Sequence, residues 1–171
     1  MESLKCDFEF DSIERDFQKF NHQKTLIWIL HADKIPPHIG ISAQGQFFSL
    51  KVSGKDEFFP INKLSELLVS KKIATVLIEL ECRISLQEIA EKFGEFSQAV
   101  DLQSSCLVPI KELVLTNEKV NQLKELLEIL KKKGLINRVF GLNLNPSYQG
   151  IPHYSTDEIK FRLEKLKHAE R

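Results

Sequence analysis

A histidine at position 38 opens the segment HIGIS, directly after Pro36 and Pro37. An imidazole is the side chain best suited to take and return a proton near neutral pH, so where this ring points is the first question. The stretch HIGISA-QG-QFFSLKVS reads as a hairpin with Gln44 and Gly45 as a two-residue turn. That turn sets a register in which Gly40 faces Ser49, Ser42 faces Phe47 and His38 faces Lys51. Side chains alternate across a strand pair. Ile39, Ile41, Ala43, Phe48, Leu50 and Val52 therefore share one apolar face, with Gln46 beside the turn. His38, Gly40, Ser42, Phe47, Ser49 and Lys51 share the other. On that mostly polar face Ser49 lies diagonal to His38, within reach of a polar contact, and Gly40 leaves room beside the ring. The pattern suits a ring held by one neighbour and offered to another group. An exposed strand histidine satisfies it equally. Lys51 opposite the ring would depress its pKa, or bind an acidic substrate group.

The thiols are Cys6, Cys82 and Cys106. A thiol is a nucleophile when ionised, and a nearby imidazole both accepts its proton and later protonates a leaving group. Cys6 lies in an acidic stretch that raises a thiol pKa, and Cys82 ends a strand, so both read as structural. An odd number of cysteines, none paired at metal-ligand spacing, argues against a disulfide framework and for a reducing compartment. His31, Asp33 and His38 are close in sequence, but Pro36 and Pro37 separate them and no further ligand is evident, so neither a metal nor another cofactor is expected.

These residues need elements to position them. Residues 11–21 place Ile13, Phe17 and Phe20 at helical spacing behind Asp11. KTLIWILH is an apolar run of strand length, suited to burial on both faces. PINKLSELLVSKK is helical, KIATVLIELE is a strand, and SLQEIAEKFGEF opens with Ser85 three residues before Glu88, a capping box. SSCLVPIKELV places Cys106 ahead of a helix. Residues 117–134 carry a Val120, Leu123, Leu127 and Leu130 stripe that ends in lysines and Gly134. NLNPSYQGIPHY is a loop by composition, in which Tyr148 could form part of a lid over a cleft, and a last helix begins at Ser155. A hairpin among helices indicates α+β.

The chain has 171 residues, 42% hydrophobic and 28% charged, enough for a core without metal or disulfide staples. Lys+Arg and Asp+Glu balance at 24 each, which argues against nucleic acid or an anionic membrane as the main partner. The acidic N-terminal stretch has no apolar signal region and TLIWILHA is too short to span a bilayer, so a cytoplasmic location is expected.

HIGIS, a short turn and FFSL, followed much later by SSCLVPIKELV, resemble the NlpC-type papain-like cysteine hydrolases in their circularly permuted branch, the YiiX-like and LRAT-like proteins. In that branch an HxGI strand comes first, a polar residue follows on the paired strand, and the cysteine comes later at the start of a helix. The similarity covers roughly residues 25–116. It implies a papain-like antiparallel sheet packed with helices over 25–116, while the flanking residues read as an N-terminal helical segment over 1–24 and a helical C-terminal extension over 117–171. It also implies thiol-dependent cleavage or transfer at an amide or ester bond of a small-molecule, peptide or acyl substrate. Cys106 would be the nucleophile, His38 the base and Ser49 the orienting group, with Lys51, Ser42 and Tyr148 towards the substrate. Ser49 departs from the His, Asn, Gln or Glu usual at the third position, and Pro109 follows Cys106 by three residues. A catalytically inactive binding module on the same fold is the alternative, with Cys106 a buried small hydrophobe.

Overall fold

The computed structural model describes residues 6–99, 105–115, 118–153 and 156–169. Its centre is a six-stranded antiparallel sheet in the order β5-β4-β3-β2-β6-β7. The strands are β2 (Leu26–Leu30), β3 (His38–Ala43), β4 (Gln46–Lys51), β5 (Gly54–Pro60), β6 (Thr75–Leu80) and β7 (Ile136–Leu142). A separate short pair joins β1 (Cys6–Glu9) to β8 (Gly150–Pro152). The helices are α1 (Ile61–Ser70), α2 (Leu86–Gly94), α3 (Val108–Val114), α4 (Leu123–Lys132) and α5 (Thr156–Ala169). The fold is α+β with an antiparallel sheet. No helix among the described residues is long and apolar enough to cross a membrane.

The sheet is covered on both faces. Central strands β2 (LIWIL) and β6 (TVLIEL) carry consecutive apolar side chains, so each face needs its own cover. On one face Ile39, Ile41, Phe48, Val76 and Ile78 pack beneath α2, α3 and α4 through Ile89, Phe93, Ile110, Leu126 and Leu130. On the other, Trp28, Phe47, Leu77 and Phe140 pack beneath α1 through Ile61, Leu64 and Leu68, and beneath Phe17 and Phe20.

The hairpin register is the one read from the turn: Gly40 pairs with Ser49, Ser42 with Phe47 and Ala43 with Gln46. Gln44 and Gly45 take positive φ (50° and 78°), the backbone a tight two-residue hairpin turn requires. The face carrying His38, expected to be mostly polar, is instead buried. Ser42 and Ser49 have no exposed surface and Phe47 is 1% exposed: α1 and the Phe17–Phe20 turn cover Phe47, Trp28 caps Ser42, and Ser49 packs against Asp56 of β5. Gly40 is required there: a Cβ would fall 2.3 Å from the Phe47 ring and 2.8 Å from the Phe48 carbonyl oxygen.

Three segments differ from expectation. Residues 11–21 are no α-helix. Only Phe17–Lys19 form a 3-10 turn, capped by the Asp16 carboxylate accepting from Gln18 N–H at 3.3 Å, so that Phe17 and Phe20 both reach Trp28. GKDEFFP forms β5, an edge strand in which Glu57 and Phe58 are exposed while Lys55 and Asp56 are half-buried, so it carries no apolar period. The C-terminal stretch is not wholly helical, since β7 lies beside β6 at the other edge of the sheet and β8 pairs with β1. The capping box at α2 is present: Glu88 N–H donates to Ser85 Oγ at 3.1 Å and Ser85 N–H to Glu88 Oε2 at 2.9 Å. Ser155, the expected start of the last helix, lies outside the described residues.

Candidate functional site

At one end of the sheet, β3 and β4 part. Their ladder runs only as far as Gly40 and Ser49, so His38 and Ile39 on one strand no longer pair with Leu50 and Lys51 on the other. Other parts of the chain take up the groups this frees. The Ala99 N–H donates to the Lys51 carbonyl at 2.7 Å. The Ile39 main-chain amide is close enough to the Cys106 sulfur to favour its ionised form. His38 is held on its other side by β2, where it pairs with Leu30.

A cavity of about 610 Å³ opens here. Its walls include His38 and Ile39 at the start of β3, Leu50 and Lys51 at the end of β4, and Ser105, Cys106 and Leu107 just before α3. The segment between β2 and β3 supplies His31, Lys34, Ile35, Pro36 and Pro37, and Asn121, Gln122 and Leu123 at the start of α4 close the far side. The volume lies within the ~300–1,000 Å³ usual for small-molecule sites. Cys106 and His38, far apart in the chain, thus face one cavity, and Lys51 shares it.

The electrostatics of the two groups follow from where they sit. Burial lowers the His38 pKa from 6.5 to about 4, with Lys51 and His31 pushing the same way and the Asp56 carboxylate opposing. Its Nε2 is buried and has no hydrogen-bond partner among the described residues. Burial raises the Cys106 thiol, partly offset by the main-chain amides of Ile39 and of Cys106 itself. The resting site therefore holds a neutral imidazole and a neutral thiol. Cys6 and Cys82 are raised by burial as well, Cys6 also by Glu9 and Asp7.

The remaining expected site residues lie elsewhere. Ser49 is diagonal to His38 as the register requires, but its hydroxyl donates to Asp56 Oδ2 at 3.1 Å and leaves the imidazole unheld. Asp56, on β5, also receives Lys51 Nζ on Oδ1 at 3.1 Å. Ser42 is buried beneath Trp28 and accepts its indole N–H at 2.7 Å, so it cannot meet a substrate. The Tyr148 hydroxyl donates to the Ala32 carbonyl at 3.3 Å and braces the segment after β2 from outside the cavity wall. Asp56 is the group that sequence reasoning missed. It sits in a polar edge strand with no periodicity to mark it, and only the β4–β5 pairing of Ser49 with Asp56 brings it to the hairpin. Among the described residues no group of three or more His, Cys, Asp or Glu is placed to hold a metal ion.

No family model, curated protein or solved structure matches the chain.

Proposed function

We propose that the protein is a thiol-dependent hydrolase or acyl transferase acting on an amide or ester bond, with Cys106 as nucleophile and His38 as general base. The observation that carries this reading is the meeting of Cys106 and His38 in one cavity, the sulfur beside the amide of the residue that follows the histidine. As the sulfur–carbon bond forms, the thiol proton passes to His38. That proton then goes to the departing nitrogen or oxygen as the carbon–heteroatom bond breaks. Water, or an acceptor, attacks the thioester and gives its own proton back through the imidazole, releasing the acyl product and restoring the thiol.

A resting neutral pair suits a concerted version of this sequence. The imidazole keeps an open lone pair over the whole neutral range because burial disfavours its charged form. Once protonated, it gains the attraction of Asp56, which Lys51 moderates. The amides of Ile39 and Cys106, which favour the ionised sulfur, are the candidate donors for an oxyanion forming at the attacked carbonyl. The papain-like identity of the fold belongs to the same proposal.

The raised thiol and the unheld imidazole favour the second reading, a binding module with an inactive site. Iodoacetamide labelling at mildly acidic pH, followed by peptide mapping, separates the two. Under the catalytic reading His38 assists alkylation of Cys106 as it would acylation, so His38→Ala slows labelling of Cys106 and leaves Cys6 and Cys82 unchanged. Slow labelling of Cys106, unaffected by His38→Ala, sinks the catalytic reading.

A further inference from the structure

The charge on the cavity wall identifies a substrate class, resting on the reading of this cavity as the reactive site. No carboxylate is among the described residues that line it, whereas Lys34, Lys51, His31 and His38 all do. Asp56 and Asp33 lie near the cavity without lining it. Asp56 is engaged by Ser49 and Lys51 on β5, and the Asp33 carboxylate acts on Tyr148 on the outer side of the segment. Lys51 is therefore partly neutralised. Lys34 is exposed, and its ammonium makes no ion pair among the described residues. The rest of the wall is largely aliphatic, from Leu30, Ile35, Pro37, Leu50, Val52 and Leu123.

We infer that the cavity takes an acyl donor whose acyl part carries a free carboxylate, with its carbon chain against the aliphatic wall and the carboxylate at Lys34. Three physical requirements meet here. A buried aliphatic wall selects a hydrocarbon body. The described part of the wall carries no acid to repel an anion. An unpaired ammonium at the rim attracts an anion without first giving up a partner, which a lysine already in a salt bridge would have to do. A cationic or zwitterionic acyl group would meet Lys34 with no carboxylate among the described wall residues to offset it.

The test uses binding and turnover together. Glutaryl anilide, which is anionic, and pentanoyl anilide, which is neutral and of similar size, are titrated calorimetrically into the Cys106→Ala protein. The glutaryl compound is expected to bind about two- to fivefold tighter at low salt, the range of one partly screened charge pair. That ratio should fall towards one in the Lys34→Ala, Cys106→Ala protein and invert with Lys34→Glu. Circular dichroism and thermal unfolding check that each variant keeps the fold. Equal binding of the two compounds, or a ratio that Lys34→Glu leaves in place, overturns the inference. Turnover of p-nitrophenyl glutarate and p-nitrophenyl pentanoate by the intact protein tests the underlying reading separately. Preferential anion binding without Cys106-dependent hydrolysis supports the charge assignment and removes the thioester chemistry.

Discussion

Replacing His38 by Gln keeps a polar side chain of related size but removes the titration, and the effect on stability can be worked from the burial of the ring. The imidazole titrates at 6.5 when free and at about 4 in the folded protein. Below pH 6.5 the unfolded chain binds a proton that the folded chain refuses until the pH nears 4. The folded state is thus unpenalised at neutral pH and loses stability as the pH falls through that window, the sign expected for a histidine buried neutral. At about 1.4 kcal/mol per pKa unit, the full window is worth about 3 kcal/mol, and the part lost between roughly pH 7 and pH 5 is about 2 kcal/mol. Urea unfolding of the wild type and of His38→Gln at the two pH values isolates this contribution, because the carboxylates and the other histidines titrate alike in both proteins and cancel in the difference. The wild type should lose about 2 kcal/mol more than the variant between the two pH values, with unchanged m-values. Parallel pH dependences in the two proteins would refute the placement of a desolvated, neutral imidazole at the parting of β3 and β4.

Lys51→Met should raise the midpoint of the His38 titration and Asp56→Asn should lower it, as read by imidazole proton chemical shifts, since the two charges act on the ring with opposite sign. Equal shifts in one direction would contradict the assignment of Asp56 as the acid that His38 senses. Gly40→Ala drives a methyl group into the Phe47 ring and the Phe48 carbonyl, and should cost about 2 kcal/mol or more in urea unfolding. Ser42→Ala strands the buried Trp28 indole N–H and should cost about 1–3 kcal/mol, with a shifted tryptophan emission and no change in the rate of Cys106 alkylation. An altered alkylation rate would place Ser42 at the site after all.

The hairpin register was legible in the sequence because a two-residue turn fixes every later pair, and one face of the resulting strands is uniformly apolar. The helix start at Ser85 was legible for a similarly local reason, a reciprocal pair of hydrogen bonds between residues three apart. The burial of the second face was not. It depends on α1 and on Phe17 and Phe20, which reach the strands only through tertiary packing, while Ser42 and Ser49 looked like solvent-facing polar positions. Each of those hydroxyls turns out to serve a partner that alternation cannot reveal, Trp28 from the neighbouring strand and Asp56 from an edge strand. β7 escaped for the same reason as β5: an edge strand answers to solvent on one side, and INRVFGL mixes exposed and buried positions. The partnership of His38 and Cys106 rested in the sequence on motif order. The structure shows that both residues line one cavity, opened by the early end of the β3–β4 ladder.

Trapping the acyl group on the enzyme tests that partnership most directly. The protein is mixed briefly with excess p-nitrophenyl glutarate, quenched in acid, digested and mapped by mass spectrometry. A glutaryl adduct is expected on the peptide bearing Cys106, released by hydroxylamine, formed more slowly in His38→Ala and absent in Cys106→Ala. Adducts spread evenly over Cys6, Cys82 and Cys106, or formed at the same rate without His38, would contradict the account.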